Sequence, residues 1–214
     1  MTTRRLVLLR HGQTEHNAGS RMQGQLDTEL SELGRSQARR VAEVVAAMKP
    51  RLLVSSDLRR AHDTALAIGQ ACGMAVRTDP RLRETHLGDW QGHTHQEVDA
   101  GYPGARKIWR ADANWAPPGG ESRVQVAARA LATVRELETE LPDWDDRPVV
   151  LIAHGGLIAA LTSALLDLPV DRWPAIGGIG NTSWAELSSH HGQHYDHWRL
   201  DVWNAAAPGV DDVL

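Results

Sequence analysis

The chain has 214 residues, 42% of them hydrophobic and 23% charged, with a net charge of −4 from 23 basic and 27 acidic side chains. That composition supports one packed domain and excludes a disordered chain or a general nucleic-acid binder. A single cysteine, Cys72, excludes an internal disulfide or a thiolate cluster, and no apolar run reaches the length of a membrane span or a secretory signal, so a soluble, cytoplasmic protein is expected.

Residues 6–9, Leu-Val-Leu-Leu, read as a buried strand that ends at Arg10-His11-Gly12. Ser31 is the predicted N-cap of a helix to about residue 48, with Leu33, Val41, Val45 and Met48 facing inward and Pro50 beyond its end. A second strand covers 52–55. Ser56 is then the predicted cap of a helix whose buried stripe is Leu58, Ala61, Ala65, Ile68 and Cys72, stopped by Gly73. A short strand follows near 75–76. Residues 101–120, rich in glycine and proline but carrying Ile108, Trp109 and Trp115, read as a lid-like insertion rather than a linker. A helix is expected over about 122–141 and the strongest strand over 149–153. His154-Gly155-Gly156 and a helix over 157–166 come next, then late strands at 182–187 and 198–202. The alternation predicts a three-layer α/β/α sandwich with a mostly parallel sheet, and ligands bind such sheets beyond the carboxyl ends of the strands. His11 and His154 both fall at that edge.

The chemistry-bearing set is therefore Arg10-His11, Arg60, Glu84 and His154. Guanidinium forks match phosphate oxygens, a neutral imidazole can attack phosphorus, and a carboxylic acid can protonate a leaving alkoxide. The helix starts after Ser56 and Gly156 would add backbone N–H groups toward an anion. Spacing alone carries the reading this far, to phosphoryl transfer. The histidines at 190, 191, 194 and 197 fit a solvated turn better than a metal site. Asp143, Asp145 and Asp146 around Trp144 fit a solvated acidic loop. His86, His93 and His95 fit a site rim or a structural role.

Residues 9–17, Leu-Arg-His-Gly-Gln-Thr-Glu-His-Asn, resemble the signature of the histidine phosphatase superfamily, in its phosphoglycerate-mutase-like branch. The resemblance continues through Leu33-Gly34, residues 56–65, Leu82-Arg83-Glu84, Gly88-Asp89-Trp90-Gln91-Gly92, Gly120-Glu121-Ser122 and residues 153–156, in the family's order. It implies that His11 is the nucleophile and becomes phosphohistidine. It implies that Arg10, Arg60 and His154 hold the phosphoryl oxygens, with Asn17 adding a hydrogen bond. Glu84 would give the proton to the leaving group and then activate water. Gln23, Gly24 and Gly155 would meet the substrate. No metal and no cofactor are implied, and the partners expected are a phosphorylated sugar acid and a second copy of the chain in a homodimer. The stretch 82–92 looks more like phosphatases than mutases, because the Glu-Arg-His-Tyr-Gly segment of cofactor-dependent mutases is missing. A mutase or broad-specificity phosphomonoesterase, and an inactive binding module on the same fold, stand as the alternatives. For a sugar-acid substrate, Arg106 is a candidate partner for the carboxylate, and Trp109 or Trp115 for the sugar face.

Overall fold

The computed structural model describes residues 2–191 and 197–208. Its strands are β1 (Thr2–Arg10), β2 (Leu52–Ser55), β3 (Val76–Thr78), β4 (Val149–Ala153), β5 (Trp184–His191) and β6 (Arg199–Ala205). Its helices are α1 (Glu15–Ala18), α2 (Glu32–Ala47), α3 (Arg59–Cys72), α4 (His95–Gly101), α5 (Ala105–Ala111), α6 (Arg123–Glu140) and α7 (Gly155–Leu165). The strands form one sheet in the order β3-β2-β4-β1-β5-β6. The pairings β3–β2, β2–β4 and β4–β1 are parallel, whereas β5 runs antiparallel to both β1 and β6. The expected mostly parallel sandwich is the observed architecture, and its two late strands turn out to be an antiparallel pair closing one edge.

Alternation along the strands builds the layers. Leu6, Leu8, Val149 and Leu151 face a core shared with α6 and α7, while Val7, Leu9, Val150 and Ile152 face α2 and α3. Both faces of β1 and β4 are apolar because both are covered, as parallel central strands require. The eight tryptophans divide between duties. Trp144 is buried among the α6–α7 core residues, with Trp198 5.9 Å away, whereas Trp90 centres a small separate core with Met22, Leu87 and Val98. The acidic loop around Trp144 is not simply solvated: Asp143 pairs with Arg51 at 2.9 Å, and Asp145 with Arg147 at 2.9 Å.

Three local expectations change. Leu33 is not inside; it is 42% exposed on the first turn of α2, and the buried stripe of that helix runs through Gln37, Ala38, Val41 and Val45. Ser56 does not cap α3. Leu58 is the N-cap without a side-chain hydrogen bond, and the Ser56 hydroxyl turns instead to His154. Residues 101–120 are not simply a loop, because they contain α5; Trp109 and Trp115 pack their rings 5.9 and 5.5 Å from Trp90. Of the histidine-rich turn, residues 192–196 lie outside the described residues; His197 is exposed and bonds Asp167 at 2.9 Å. Among the described residues no helix is long and apolar enough to cross a membrane.

The start of α2 is pressed against the turn after β1. A Cβ on Gly34 would lie 2.0 Å from the Gln13 carbonyl oxygen, and one on Gly12 would lie 2.5 Å from the Gly34 carbonyl oxygen. Backbone meets backbone here, so nothing flexible can yield. Gly34→Ala is expected to destabilise the fold by about 1–3 kcal/mol, read as a lower urea midpoint with an unchanged denaturant slope.

Candidate active site

The strand pairing brings the two histidines together. Arg10 is paired with Ala153, and His11 N–H donates to the Ala153 carbonyl at 3.1 Å, so the residues that follow each strand emerge side by side. The ring centroids of His11 and His154 are 5.1 Å apart. His11 is 3% exposed. Its Nδ1 lies 2.6 Å from the Gly12 carbonyl oxygen, which can only accept, so Nδ1 carries the proton and Nε2 keeps a lone pair. That lone pair accepts a hydrogen bond from Arg60 Nε at 3.2 Å.

Both imidazoles are held neutral. Burial pushes the His11 pKa well below the ordinary imidazole value, and the charges of Arg60 and Arg10 add to this. Burial does the same to His154, followed by Arg60, His11, Arg10 and Arg129. Arg60, 1% exposed, is itself pulled down to about 10 by burial. It donates to the carbonyls of Gly24 at 2.8 Å and Leu26 at 2.7 Å, which fix its guanidinium plane beside His11. Arg10 donates to the Ile179 carbonyl at 2.6 Å.

Glu84 reaches the site from a different segment, just after the 3-10 helix Pro80–Leu82. Its carboxylate accepts three backbone N–H bonds: Oε1 from Thr85 at 2.8 Å and Leu157 at 3.0 Å, and Oε2 from Gly156 at 3.0 Å. This narrows the sequence expectation for the start of α7, because the amides of Gly156 and Leu157 are taken by the Glu84 carboxylate rather than left for a ligand. The first amide of α3, that of Arg59, likewise bonds Asp27 at 2.8 Å. The Glu84 backbone is strapped to α6 by Arg129, which donates to the carbonyls of Arg81, Arg83 and Glu84 at 2.7, 2.7 and 2.9 Å. Arg129 is held in turn by Glu121 at 3.0 Å, and Glu121 also accepts the His86 N–H at 2.8 Å.

A pocket of about 280 Å³ opens above His11, lined among others by Arg10, Asn17, Gln23, Gly24, Arg60 and Glu84. Asn17 Oδ1 accepts the Thr14 N–H at 3.1 Å, and Gln23 Oε1 accepts from the Thr28 hydroxyl at 2.6 Å, which leaves both amide NH2 groups as donors. Arg21, His95 and Trp109 complete the rim. His154 lies below this pocket rather than in its wall, fully buried, with Nε2 2.9 Å from the Ser56 hydroxyl. Gly155 lines a neighbouring cavity instead. Arg106 is not available to the pocket, since Asp99 holds it through a bond of 2.7 Å. Among the described residues no group of three or more His, Cys, Asp or Glu side chains is placed to hold a metal ion.

Sequence reading gave no role to Asn181, whose side chain donates to the His11 carbonyl at 3.0 Å, and none to Arg129 or Glu121. Arg129 left a signal. It falls three residues after Val126 and one before Ala130, within the buried stripe of α6, where a cation needs a partner. Asn181 left none, because nothing local marks an amide that reaches back across the sheet.

Two buried imidazoles and the buried Arg60, with the half-buried Arg10 and Glu84 beside them, make a set of groups suited to binding and transferring a phosphoryl group. The model of the histidine phosphatase superfamily (branch 1) matches residues 6–206. The chain belongs to that superfamily and is a phosphoric monoester hydrolase. It is 64% identical to the glucosyl-3-phosphoglycerate phosphatase of Mycolicibacterium vanbaalenii and 63% identical to that of Mycobacterium tuberculosis, each over the whole of both chains. The solved structure of a mycobacterial glucosyl-3-phosphoglycerate phosphatase in complex with VO3 is 64% identical. It covers 95% of this chain and 100% of its own, with a TM-score of 0.92.

Two outcomes are expected. A Cβ on Gly156 would lie 2.7 Å from Glu84 Oε1, so Gly156→Ala should displace the carboxylate and lower kcat about tenfold or more in a folded protein; steady-state kinetics with a circular-dichroism control checks it. The second concerns pH. The unfolded chain protonates His11 and His154 near the ordinary imidazole value of about 6.5, whereas the folded chain resists protonation until lower pH. The unfolded state therefore binds more protons below 6.5, and stability falls as pH drops through that window, by up to about 1.4 kcal/mol per pH unit for each imidazole. His154→Gln should flatten that slope in urea titrations between about pH 5 and 6.5.

Proposed function

We propose that this chain hydrolyses glucosyl-3-phosphoglycerate to glucosylglycerate and phosphate, through a phosphohistidine on His11 and without a metal ion, as a step in methylglucose polysaccharide synthesis. The observation that carries the chemistry is the His11 imidazole: Nδ1–H on the Gly12 carbonyl, Nε2 with its lone pair toward the pocket, and both rings uncharged. Full-length identity of 63–64% to enzymes bearing that substrate name supports the choice of ester.

In the first step the phosphate takes the hydrogen bonds of Arg60 and Arg10, and the Arg60 Nε–H moves from Nε2 to a phosphoryl oxygen. Nε2 then bonds to phosphorus as the bond to the glycerate oxygen breaks. Glu84, which takes up a proton with the incoming ester, gives it to that departing oxygen. The ring now carries positive charge, offset by the Gly12 carbonyl at Nδ1 and by the phosphoryl group. In the second step Glu84 takes a proton from water, water oxygen bonds to phosphorus, and the bond to Nε2 breaks. Arg10 and Arg60 supply the fixed positive charge that a divalent ion supplies in other phosphatases. His154, against the His11 ring and with its Nδ1 unbonded, is the further donor to a phosphoryl oxygen in this reading. Asn17 and Gln23 donate from their amides, and Gly24 and Gly155 leave room for the ester. Residues 101–120 act as a lid, folded on Trp90 over the mouth. In this reading the protein works in the cytoplasm as a homodimer.

The test is phosphate release from glucosyl-3-phosphoglycerate, 3-phosphoglycerate and mannosyl-3-phosphoglycerate in the presence of excess chelator. The first substrate is expected to give the highest kcat/KM, with no bisphosphoglycerate formed. His11→Ala should lower kcat by about three orders of magnitude or more and abolish the enzyme-bound phosphoryl label. Formation of bisphosphoglycerate would move the reading to a mutase. Equal rates across the panel would move it to a broad phosphomonoesterase.

A further inference from the structure

A second cavity, of about 380 Å³, adjoins the catalytic pocket and shares Thr85, Trp109 and Gly156 with it. It is roofed by α5, walled by the starts of α6 and α7, and closed by Trp173 and Ile176. Two arginines face it, Arg110 and Arg123. Neither forms an ion pair among the described residues. Arg123 Nη1 reaches only the Arg110 carbonyl, at 3.3 Å, and its guanidinium carbon lies 5.2 Å from the Trp109 ring centre.

Arg123 is unfavourably placed in three ways. It is the first residue of α6, where the helix dipole is positive and repels a cation. It is only partly exposed, and burial, then the charge of Arg110, pulls its pKa down. The rest of the wall is largely apolar, so no protein anion offsets the charge. A bound carboxylate would relieve all three.

Position says which carboxylate. Glu84 accepts from Gly156 and Leu157 at the partition between the two cavities, and it also lines the catalytic pocket. An ester with its phosphorus on His11 must turn its bridging oxygen toward Glu84 to be protonated. Whatever that oxygen carries then continues past Gly156 into the second cavity. Arg106, the sequence candidate for this duty, is held by Asp99.

We propose that this cavity is the leaving-group subsite, in which Arg123 and Arg110 bind the carboxylate of a sugar acid against the Trp109 face. The proposal rests on the substrate reading above but is tested apart from it. 3-Phosphoglycerate and glycerol 3-phosphate differ only in a carboxylate against a hydroxymethyl group. Wild type is expected to favour the first by about tenfold or more in kcat/KM, and Arg123→Gln to lower that ratio by about the same factor. Arg110→Gln, on the exposed side of α5, should lower it in the same direction and guards against misfolding of the first variant. The subsite is overturned if wild type does not discriminate within this pair, or if the ratio is unchanged in both variants. A ratio unchanged in Arg123→Gln with a lowered Tm would mark Arg123 as a packing group over Trp109, and would also overturn it. Failure of the substrate reading shows elsewhere, as no preference of wild type for glucosyl-3-phosphoglycerate over 3-phosphoglycerate. The carboxylate ratio still judges the subsite in that case.

Discussion

The parallel pairing of β1 with β4, from Leu6 on Val149 to Arg10 on Ala153, is the constraint from which the rest of the molecule follows. A one-residue slip would turn Leu6 and Leu8 toward α2 and α3 and send Val7 and Leu9 to the other core. It would also carry His11 away from His154. Packing and chemistry are thus secured by the same register, and the burial of Leu6–Leu9 and of all of β4 enforces it. The turn leading into β5 adds the other side, since the amide of Thr182 bonds the Arg10 carbonyl at 3.1 Å and so pins the residues after β1.

Around that pair the molecule concentrates positive charge while keeping its imidazoles uncharged. Arg10 and Arg60 are permanent cations beside two buried rings, and the mutual repulsion disfavours a further proton on either ring. The cost of burying Arg60 is offset by hydrogen bonds to carbonyl oxygens, with the charges of Glu84 and Asp27 helping without bonding it directly. Glu84 stands apart from this cluster, on three backbone amides. Its segment is tied by Arg129 and Glu121 to α6.

Much of this was legible in the chain. The apolar runs ending at Arg10 and Ala153 announced both strands, and glycine after each histidine marked the turns that carry them. The Ser31 cap located α2 to within a residue, because capping is a local hydrogen bond. Leu33 was misread because a single leucine in a helical window fits either face, and only the neighbouring turn decides. Ser56 looked like a cap because serine before a helix usually is one, yet a buried histidine across the sheet took its hydroxyl. Arg106 and Arg123 are alike in sequence, and only the position of Asp99 separates a paired surface arginine from an uncompensated one. What could not be read was tertiary in origin: contacts made by residues far apart in the chain.

The hydrogen bond from Arg60 Nε to His11 Nε2 has a consequence for what the protein ignores. A buried neutral imidazole with an exposed lone pair would be open to acyl donors, alkylating agents and transition-metal ions. Here the lone pair is capped by a cation, which repels metal ions and has no reason to leave for an uncharged electrophile. Only an anion with oxygens to offer can draw the guanidinium away. In the proposed reaction His11 is thus unmasked by the phosphate ester itself, and chemical selectivity is exercised before any bond is made.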